Sequence, residues 1–430
     1  MPRMHPLLAL ALLLTAPVAQ AQPAHPPAAV PVLFLSDIHF NPFADPTLTA
    51  QFAGRPVVAP LSPAVADAQS SCAALDTPTA LFQSSLAAAH LRAAPIRFVT
   101  VTGDLLSHQF IRCFAAFVLN TPPAGSDEDQ YKAFSSAPGG ALDLYRSFVQ
   151  KTIEYVASQL QQALPGVPIY FALGNNDTAC GDYDIDPNDA LLKNTAYLVA
   201  ASAHGTRAAD VPLDARANPA APFNQNGDYQ SLGDYSIPIP ALPGTRLIVL
   251  DDLFLSGSHL TCSGQPEPEA TATAQKKWLN DQLDAASAAH QKVWVMAHIP
   301  PGLDPFSTLR NRAITYFLSP GNDITSYLAS HSPDIRLALF AHTHFDSLSE
   351  IASANPKDPP VTLKLVQSIC PNHGNPPSIT IAHVDPRTAR LIDYTVIMAA
   401  QAAPGAPYTW PAATLPAPPP TWSATSTAPK

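Results

Sequence analysis

The feature of this sequence that most restricts its fold is a recurring relation between apolar runs and the polar residues that come after them. Short runs rich in β-branched and aromatic residues occur along the chain, and each is closely followed by Asp, Asn or His. Several runs are apolar nearly throughout, which is typical of strands covered on both faces. Segments with the spacing of amphipathic helices lie between the runs, so the pattern predicts an α/β fold. The runs span residues 31–36, 96–101, 167–172, 292–297 and 335–340.

The order of the predicted elements indicates how they form layers. Strands and helices alternate over most of the chain, whereas segment 361–398 contains only strand patterns. Although 430 residues could form two domains, this order predicts one layered α/β domain, at residues 31–400, with a large and partly antiparallel sheet system. The predicted helices span 78–91, 142–164, 188–203, 270–290 and 307–330, and the additional strands span 246–250, 361–366, 378–383 and 390–397.

The two ends of the chain differ in composition from this domain. Arg3 and His5 precede an apolar run that is too short to span a bilayer and ends in a small-x-small motif. This start predicts a signal peptide over residues 1–21 and a periplasmic or secreted protein, with a buried N-terminal helix as the weaker alternative. Residues 22–30 are predicted to form an Ala/Pro-rich linker, and residues 401–430 a Pro-rich tail that is extended or disordered.

Charge and cysteine content exclude several classes of partner. The formal net charge is −10, so the chain lacks the basic footprint that nucleic-acid binding needs, and we expect no binding to nucleic-acid duplexes. No further stretch is long and apolar enough for membrane insertion. The 5 cysteines include no C-x-x-C pair, which argues against a cysteine zinc site. In an oxidising compartment they allow up to two disulfides and one thiol, and the pairing stays open.

The polar residues after the strands are chemically alike. In α/β sheets, ligands bind outside the carboxyl ends of the strands, so these residues are expected to converge on one crevice. Asp-x-His and His-x-His motifs place two side chains on the same side of an extended segment. Neutral imidazole and carboxylate bind Zn²⁺, Mn²⁺ or Fe²⁺, so the set predicts a metal site. Its members are Asp37, His39, Asp104, Asn175, His298, His342 and His344.

The order D-x-H, G-D, G-N-x-D, H and H-x-H resembles the calcineurin-like metallophosphoesterase superfamily. The resemblance covers residues 32–398. Some segments are more specific and resemble the acid sphingomyelinase branch, and the Gly-Asn-Asn-Asp motif at 174–177 is also similar to that of endopolyphosphatases. The more specific segments are 72–78, 103–108, 298–302, 341–346 and 375–378.

This resemblance implies a fold, a cofactor and a set of metal ligands. The implied fold is a layered α/β sandwich of two mixed β-sheets flanked by helices. The implied cofactor is a pair of divalent metal ions, with Zn²⁺ expected and Mn²⁺ or Fe as alternatives. Such paired ions generate hydroxide from bound water and stabilise the attacking and leaving oxygens. One ion would be held by Asp37, His39 and His344, the other by Asn175, His298 and His342, with Asp104 bridging them.

One position departs from the family pattern. In the sphingomyelinase branch, the residue after the metal-binding Asn is usually a His, held by the next acidic residue and thought to protonate the leaving group. This chain has Asn176 followed by Asp177, and an amide does not titrate. His108, which the resemblance places near the phosphate, is the best substitute donor. A solvated loop histidine is the alternative interpretation of His108.

Together these observations predict an exported two-metal phosphoesterase that acts on a small phosphorylated substrate and works as a monomer. The reaction would be attack by metal-bound hydroxide on a phosphodiester, phosphomonoester or phosphoanhydride. Sphingomyelin-like, nucleotide and polyphosphate substrates all stay open. The alternative is a non-catalytic protein that binds metal or phosphate and has lost its general acid at Asn176.

Overall fold

A computed structural model describes residues 28–92, 95–212, 229–266, 269–403 and 405–412. Two mixed sheets form the centre of the fold. One is 5-stranded with the order β11-β10-β1-β2-β3, and the other is 6-stranded with the order β4-β5-β6-β7-β9-β8. The strands are β1 (Val30–Leu35), β2 (Phe98–Thr102), β3 (Ile169–Ala172), β4 (Tyr235–Pro238), β5 (Thr245–Val249), β6 (Lys292–Met296), β7 (Ile335–Phe340), β8 (Ser347–Ile351), β9 (Val361–Leu365), β10 (Ser378–Val384) and β11 (Leu391–Met398).

The 6-stranded sheet has parallel strands in its middle and antiparallel strands at both edges, whereas in the 5-stranded sheet β1, β2 and β3 are parallel and the antiparallel strands β10 and β11 lie on one side. Strands β1, β2 and β3 pair in parallel, and so do β5, β6, β7 and β9. Strand β10 runs antiparallel to β1, and β4 and β8 run antiparallel to their neighbours. Because parallel strands end at the same edge of a sheet, the polar residues after β1, β2, β3, β6 and β7 are brought to one side of the molecule.

A buried core fills the space between the two sheets. Phe34 of β1 and Phe98 of β2 contact Trp294 of β6 across this layer, with ring centroids 6.2 and 5.6 Å apart. Separate buried clusters cover the outer face of each sheet. Apolar residues therefore point to both faces of the central strands, as their almost unbroken apolar sequence predicted.

Helices form the two outer layers. This order of helix, sheet, sheet and helix confirms the predicted α/β fold class, with two mixed sheets flanked by helices. The helices are α1 (Pro46–Ala53), α2 (Pro63–Ala73), α3 (Thr79–Arg92), α4 (Phe110–Phe114), α5 (Asp127–Ser136), α6 (Ala141–Ala163), α7 (Ala190–Ala203), α8 (Tyr229–Leu232), α9 (Glu269–Ala288), α10 (Pro305–Asn311) and α11 (Thr325–Ser330).

The predicted helix at residues 307–330 is wrong. The segment forms two short helices, α10 and α11, and the chain between them contains Pro320 and Gly321. Proline removes a backbone donor and glycine favours turns, so the dipeptide ends helical structure there. Strands β4 and β8 were not predicted, because β8 is largely exposed and β4 ends in Pro238, so neither gives a clear apolar alternation.

Some predictions concern the two ends of the chain. The predicted signal peptide and most of the predicted linker lie outside the described residues, as does the tail beyond residue 412. At the start of the tail, Ala400–Gln401 pairs with Tyr408–Thr409 in a short antiparallel ladder. Trp410 then donates a hydrogen bond from Nε1 to Ser84 Oγ over 3.1 Å. Among the helices that the structure describes, none combines the length and apolar character needed to cross a membrane.

Two disulfides stabilise the loops around the sheet edge. Cys72 at the end of α2 is bonded to Cys113 of α4, and Cys180 is bonded to Cys262. Cys370 is a buried free thiol. The structure therefore selects one pairing among those that the sequence left open.

Candidate metal centre

The predicted metal ligands meet at the carboxyl-terminal edge of the sheets. The segment after β1 lies beside the segment after β2, with hydrogen bonds from Asp37 N to Gly103 O of 3.0 Å and from His39 N to Asp104 O of 2.8 Å. The segment after β6 contacts the segment after β7, since Ala341 N donates to His298 O over 2.8 Å. Backbone pairing thus continues beyond the strands and fixes where each polar side chain begins.

The backbone of this edge is strained. Most of the predicted ligands have a positive φ, which is uncommon for residues other than glycine. Conformations of this kind cost on the order of 1–3 kcal/mol each and cluster at functional sites. The backbone therefore marks this edge as functional independently of side-chain chemistry. The values of φ are 42° for Asp37, 43° for His39, 55° for Asp104, 67° for His342 and 63° for His344.

One group of side chains surrounds Asp37 and His39. The Nε2 atom of His344 lies 3.3 Å from Nε2 of His39 and 3.5 Å from Oδ1 of Asp37. Two imidazole nitrogens and a carboxylate oxygen thus lie close together, which is an arrangement suited to ligands around a common cation. The ligand atoms of His39 and His344 also lie within 4.8 Å of His108.

A second group surrounds Asn175. Its Oδ1 atom lies 2.9 Å from Nδ1 of His342 and 3.2 Å from Nε2 of His298. The Nδ2 atom of Asn175 donates to Asp182 Oδ1 over 2.6 Å, which keeps the amide oxygen turned towards the two imidazoles.

Asp104 lies between the two groups. Its Oδ2 atom is 3.3 Å from Nε2 of His39, in the first group, and 3.3 Å from Nε2 of His298, in the second. One carboxylate thus faces one imidazole from each group, which is the position that a ligand shared by two ions requires.

Two glycines allow these segments to approach so closely. A Cβ atom on Gly174 would lie 2.3 Å from Asp104 Oδ1, and a Cβ atom on Gly103 would lie 2.7 Å from Gly174 N. Both distances are shorter than real Cβ contacts, so any larger residue would displace Asp104 or the backbone beside it.

Hydrogen bonds and burial determine which ring nitrogen of each imidazole can bind a metal ion. The Nδ1 atoms of His39 and His298 lie 2.9 and 2.7 Å from the carbonyl oxygens of Leu106 and Thr102, so each Nδ1 carries a hydrogen and Nε2 is the atom that faces the site. Although burial opposes protonation, Asp104 raises the pKa of His298 to about 10, and a bound cation would replace the proton on its Nε2. Burial lowers the pKa of His39 to about 4 and that of His342 to about 3. Both rings are therefore neutral at pH 7, which is the form that binds metal.

Asp37 shows that the residues fit a cation. Its side chain is fully buried, and neither carboxylate oxygen has a hydrogen-bond partner among the described residues. Burial raises its pKa to about 7, because nothing sufficient compensates the desolvated charge. A divalent cation at this position would satisfy both oxygens, and carboxylate and imidazole are suitable ligands for it.

His108 lies at the edge of the first group and is held by Asp76. Its ring stacks on that of His39, with centroids 4.0 Å apart. Its Nδ1 atom is 2.9 Å from Asp76 Oδ1, and its backbone N–H donates to Asp76 Oδ2 over 2.7 Å. Although burial opposes protonation, Asp76 raises the pKa of His108 to about 9. The solvated loop position considered as an alternative therefore does not describe this residue.

Asn176 and Asp177 do not make the contacts that a proton donor and the carboxylate holding it would make. Asn176 donates from its backbone N to Asp104 Oδ1 over 2.9 Å and from Nδ2 to Asp104 Oδ2 over 3.0 Å. Asp177 accepts hydrogen bonds from the backbone N–H groups of Leu105, Leu106 and Gly174. Asn176 thus orients Asp104, and Asp177 joins the loops after β2 and β3.

Several residues support the site through contacts that the sequence did not assign to them. Asp252 accepts hydrogen bonds from the backbone N–H groups of His298 and Ile299, and the Tyr183 hydroxyl lies 3.1 Å from His342 Nε2. Asp346, two residues after His344, pairs with Lys364 and Tyr394. Asp76 lies in segment 72–78, which carries part of the family resemblance, but no periodicity could assign it a partner 32 residues away.

Comparisons with known proteins agree with this geometry. The family model described as calcineurin-like phosphoesterase matches residues 30–346, most of the chain. The human cyclic GMP-AMP phosphodiesterase SMPDL3A is 24% identical over 261 residues, which cover 58% of this chain and 51% of the relative. Sphingomyelinase phosphodiesterase C of Dictyostelium discoideum is 26% identical over 214 residues, covering 48% of this chain and 40% of the relative.

The chain thus spans about half the length of these curated relatives. Among solved structures, a dimetal phosphatase from Danio rerio superposes with a TM-score of 0.42 and 11% identity, covering 86% of this chain and 99% of that one.

Proposed function

Because the chain belongs to the calcineurin-like phosphoesterase family, we propose that it is a metal-dependent hydrolase of phosphate esters or anhydrides. The observation that carries this proposal is the position of Asp104, with one oxygen 3.3 Å from both His39 and His298. A carboxylate shared between two groups of imidazoles suits two divalent ions, whereas close packing of a core does not require such an arrangement.

The ligand assignment follows the two groups of side chains. Asp37, His39 and His344 would hold one ion, Asn175, His298 and His342 the other, and Asp104 both. When bound, the two ions supply positive charge to the phosphate and lower the pKa of a water molecule in the site. Zn²⁺ suits this mixture of imidazole and carboxylate best, with Mn²⁺ and Fe as alternatives.

The protein itself would position these groups and move one proton. Asn176 holds both oxygens of Asp104 and so fixes its orientation. His108 would donate a proton from Nε2 to the leaving-group oxygen as the phosphorus–oxygen bond breaks. Its Nδ1 is engaged by Asp76, whereas no described residue is hydrogen-bonded to Nε2. Asp76 would stay ionised throughout and stabilise the protonated ring.

Three further parts of the proposal concern the bounds of the catalytic domain, export and the oligomeric state. We propose that residues 31–400 form the catalytic domain, that residues 1–21 direct export to a periplasm or the cell exterior, and that the protein acts as a monomer. The disulfides Cys72–Cys113 and Cys180–Cys262 support an oxidising compartment.

Hydrolysis of bis(4-nitrophenyl) phosphate tests the proposal. We expect turnover by the full chain with Zn²⁺ or Mn²⁺, loss of turnover with a chelator, and loss by at least about 10²-fold in Asp104→Asn. Metal-loaded protein that hydrolyses no phosphodiester, monoester or anhydride would contradict the proposal and favour a protein that only binds metal or phosphate.

A further inference from the structure

His342 differs from the other three imidazoles of the metal centre in the nitrogen that faces its neighbour. Its Nδ1 atom lies 2.9 Å from Asn175 Oδ1, whereas His298 faces the same oxygen through Nε2, at 3.2 Å. His39 and His344 also approach their neighbours through Nε2. An ion held by Asn175, His298 and His342 would therefore lie on the Nδ1 side of the His342 ring. The Nε2 atom of this ring then carries the hydrogen and needs an acceptor.

Tyr183 is the residue that lies next to this nitrogen. Its hydroxyl oxygen is 3.1 Å from His342 Nε2, and the two rings meet at an interplanar angle of 89°. Among the residues that the structure describes, Nε2 has no other hydrogen-bond partner. A phenylalanine would pack against the imidazole equally well, so packing alone does not require the hydroxyl oxygen.

Backbone contacts fix Tyr183 in this position. Its N–H donates to Asn175 O over 2.9 Å, and its carbonyl oxygen accepts from Leu260 N over 3.2 Å. The disulfide Cys180–Cys262 joins the same two segments of the chain. The φ of Tyr183 is 63°, a conformation that is uncommon for bulky residues and clusters at functional sites. The surrounding contacts thus hold this ring in place against the backbone preference of its residue.

The residue before Tyr183 supports the same group of ligands. Asp182 accepts a hydrogen bond from Asn175 Nδ2 over 2.6 Å, and this bond turns the amide oxygen towards the two imidazoles of the second group. Adjacent residues of one loop therefore contact two of the three ligands in that group. No hydrogen bond joins the described residues 178–184 to Asp37, His39 or His344. The loop thus supports one group of ligands and not the other.

We propose that Tyr183 is a positioning residue of the metal centre, which accepts the Nε2 hydrogen of His342 and so keeps Nδ1 free to bind an ion. The inference rests on the proposed function in one respect, namely that an ion occupies the second group. Without the hydroxyl, the imidazole hydrogen can move to Nδ1, where it donates to Asn175 Oδ1 instead. The tautomer that binds metal is then less populated. Supporting contacts of this kind change metal affinity by about 10–100-fold.

Titration of the full chain with Co²⁺ tests the inference without turnover, because the visible absorption of bound Co²⁺ depends on its ligands. We expect the wild type to bind two ions, and Tyr183→Phe to bind one of them about tenfold more weakly, with a changed absorption band for that ion only. Asp182→Ala should weaken the same ion, since it releases the amide of Asn175. Two controls should keep both affinities near the wild-type values. Tyr316→Phe removes an exposed hydroxyl, and Glu128→Gln removes a charge from the wall of the cavity that Tyr183 lines.

Unchanged affinity for both ions in Tyr183→Phe would overturn the inference. Equal weakening of both ions, together with a lower midpoint of thermal unfolding in chelator, would also overturn it, because the hydroxyl would then only stabilise the fold. A protein that hydrolyses no phosphate ester, yet loses affinity for one ion in Tyr183→Phe, would support the inference and count against the proposed function instead. Wild-type protein that binds no divalent ion would contradict both.

Discussion

The carboxylate of Asp76 binds His108 twice, through the ring Nδ1 at 2.9 Å and through the backbone N–H at 2.7 Å. Asn372 Nδ2 and Cys370 Sγ both lie 3.4 Å from the same Oδ1 atom. Asp76 itself has a φ of 53°, so the surrounding structure holds it in an uncommon backbone conformation. This arrangement fixes both the position and the tautomer of the ring that stacks on His39.

The first prediction concerns this pair. Asp76→Asn should lower kcat for alkyl phosphoesters by about 10²-fold, because the neutral amide no longer stabilises a protonated His108. The kcat for nitrophenyl esters should fall much less, since their leaving group needs little protonation. The measurement is kcat against leaving-group pKa for a series of esters. His108→Ala should show the same selectivity, and exposed His204→Ala should show none. Equal losses on alkyl and nitrophenyl esters would mean that His108 only binds the phosphate.

The second prediction concerns metal content. Asp104→Ala should lose both ions, because its carboxylate faces both groups of imidazoles. His344→Ala should mainly weaken the binding of one ion, since the His344 ring lies in the first group only. Elemental analysis of protein purified without chelator measures this directly, and the wild type should contain two divalent ions per chain. Full metal content in Asp104→Ala would exclude the bridging assignment.

The third prediction concerns close backbone approach. Gly174→Ala should reduce metal content and activity together, because the new Cβ atom would lie 2.3 Å from Asp104 Oδ1. Gly54→Ala is a matched control with a positive φ of 66° but no atom within 4 Å of the added Cβ. The Gly54→Ala variant should lose about 1 kcal/mol of its free energy of unfolding and keep its metal. Normal metal affinity in Gly174→Ala would show that the centre tolerates a displaced Asp104.

The fourth prediction concerns the position where the sequence departs from its family. Asn176→His removes the amide that donates to Asp104 Oδ2, and Asp177 cannot orient the new ring while it accepts three backbone hydrogen bonds. We therefore expect weaker metal binding and no gain on alkyl esters. Metal titration and alkyl-ester turnover measure the two effects separately. A selective gain on alkyl esters would show that a histidine here can act as the acid.

The fifth prediction concerns processing and disulfides. The exported protein should begin near Gln22 and contain two disulfides and one free thiol at Cys370, which mass spectrometry of the unreduced protein would detect. Cys72→Ser should lower the free energy of unfolding by about 4 kcal/mol, since its disulfide closes a loop with a sequence separation of 41. An intact Met1 and five free thiols would contradict the proposed compartment.

The sequence identified the central strands well and the edges poorly. Strand β7 occupies the predicted residues, and β1, β6 and β9 differ from their predictions by one residue at one or both ends. Continuous apolar runs are recognisable because both faces of these strands are buried. The segment at 307–330 was predicted as one helix, because its helical spacing outweighed Pro320 and Gly321. Strand β8 gave no signal, since pairing with β9 and not its own side-chain pattern keeps it extended.

By itself, the sequence determined which chemical groups follow the central strands, and therefore where candidate metal ligands had to be sought. Their type and order depend only on neighbouring residues, because a strand end and its polar residues are adjacent in the chain. Only the tertiary structure decided that Asp104 faces both His39 and His298, that Asp76 holds His108, and that Asn176 orients Asp104. Each of these contacts joins loops that follow different strands or helices, so their distances depend on how the sheets pair and pack.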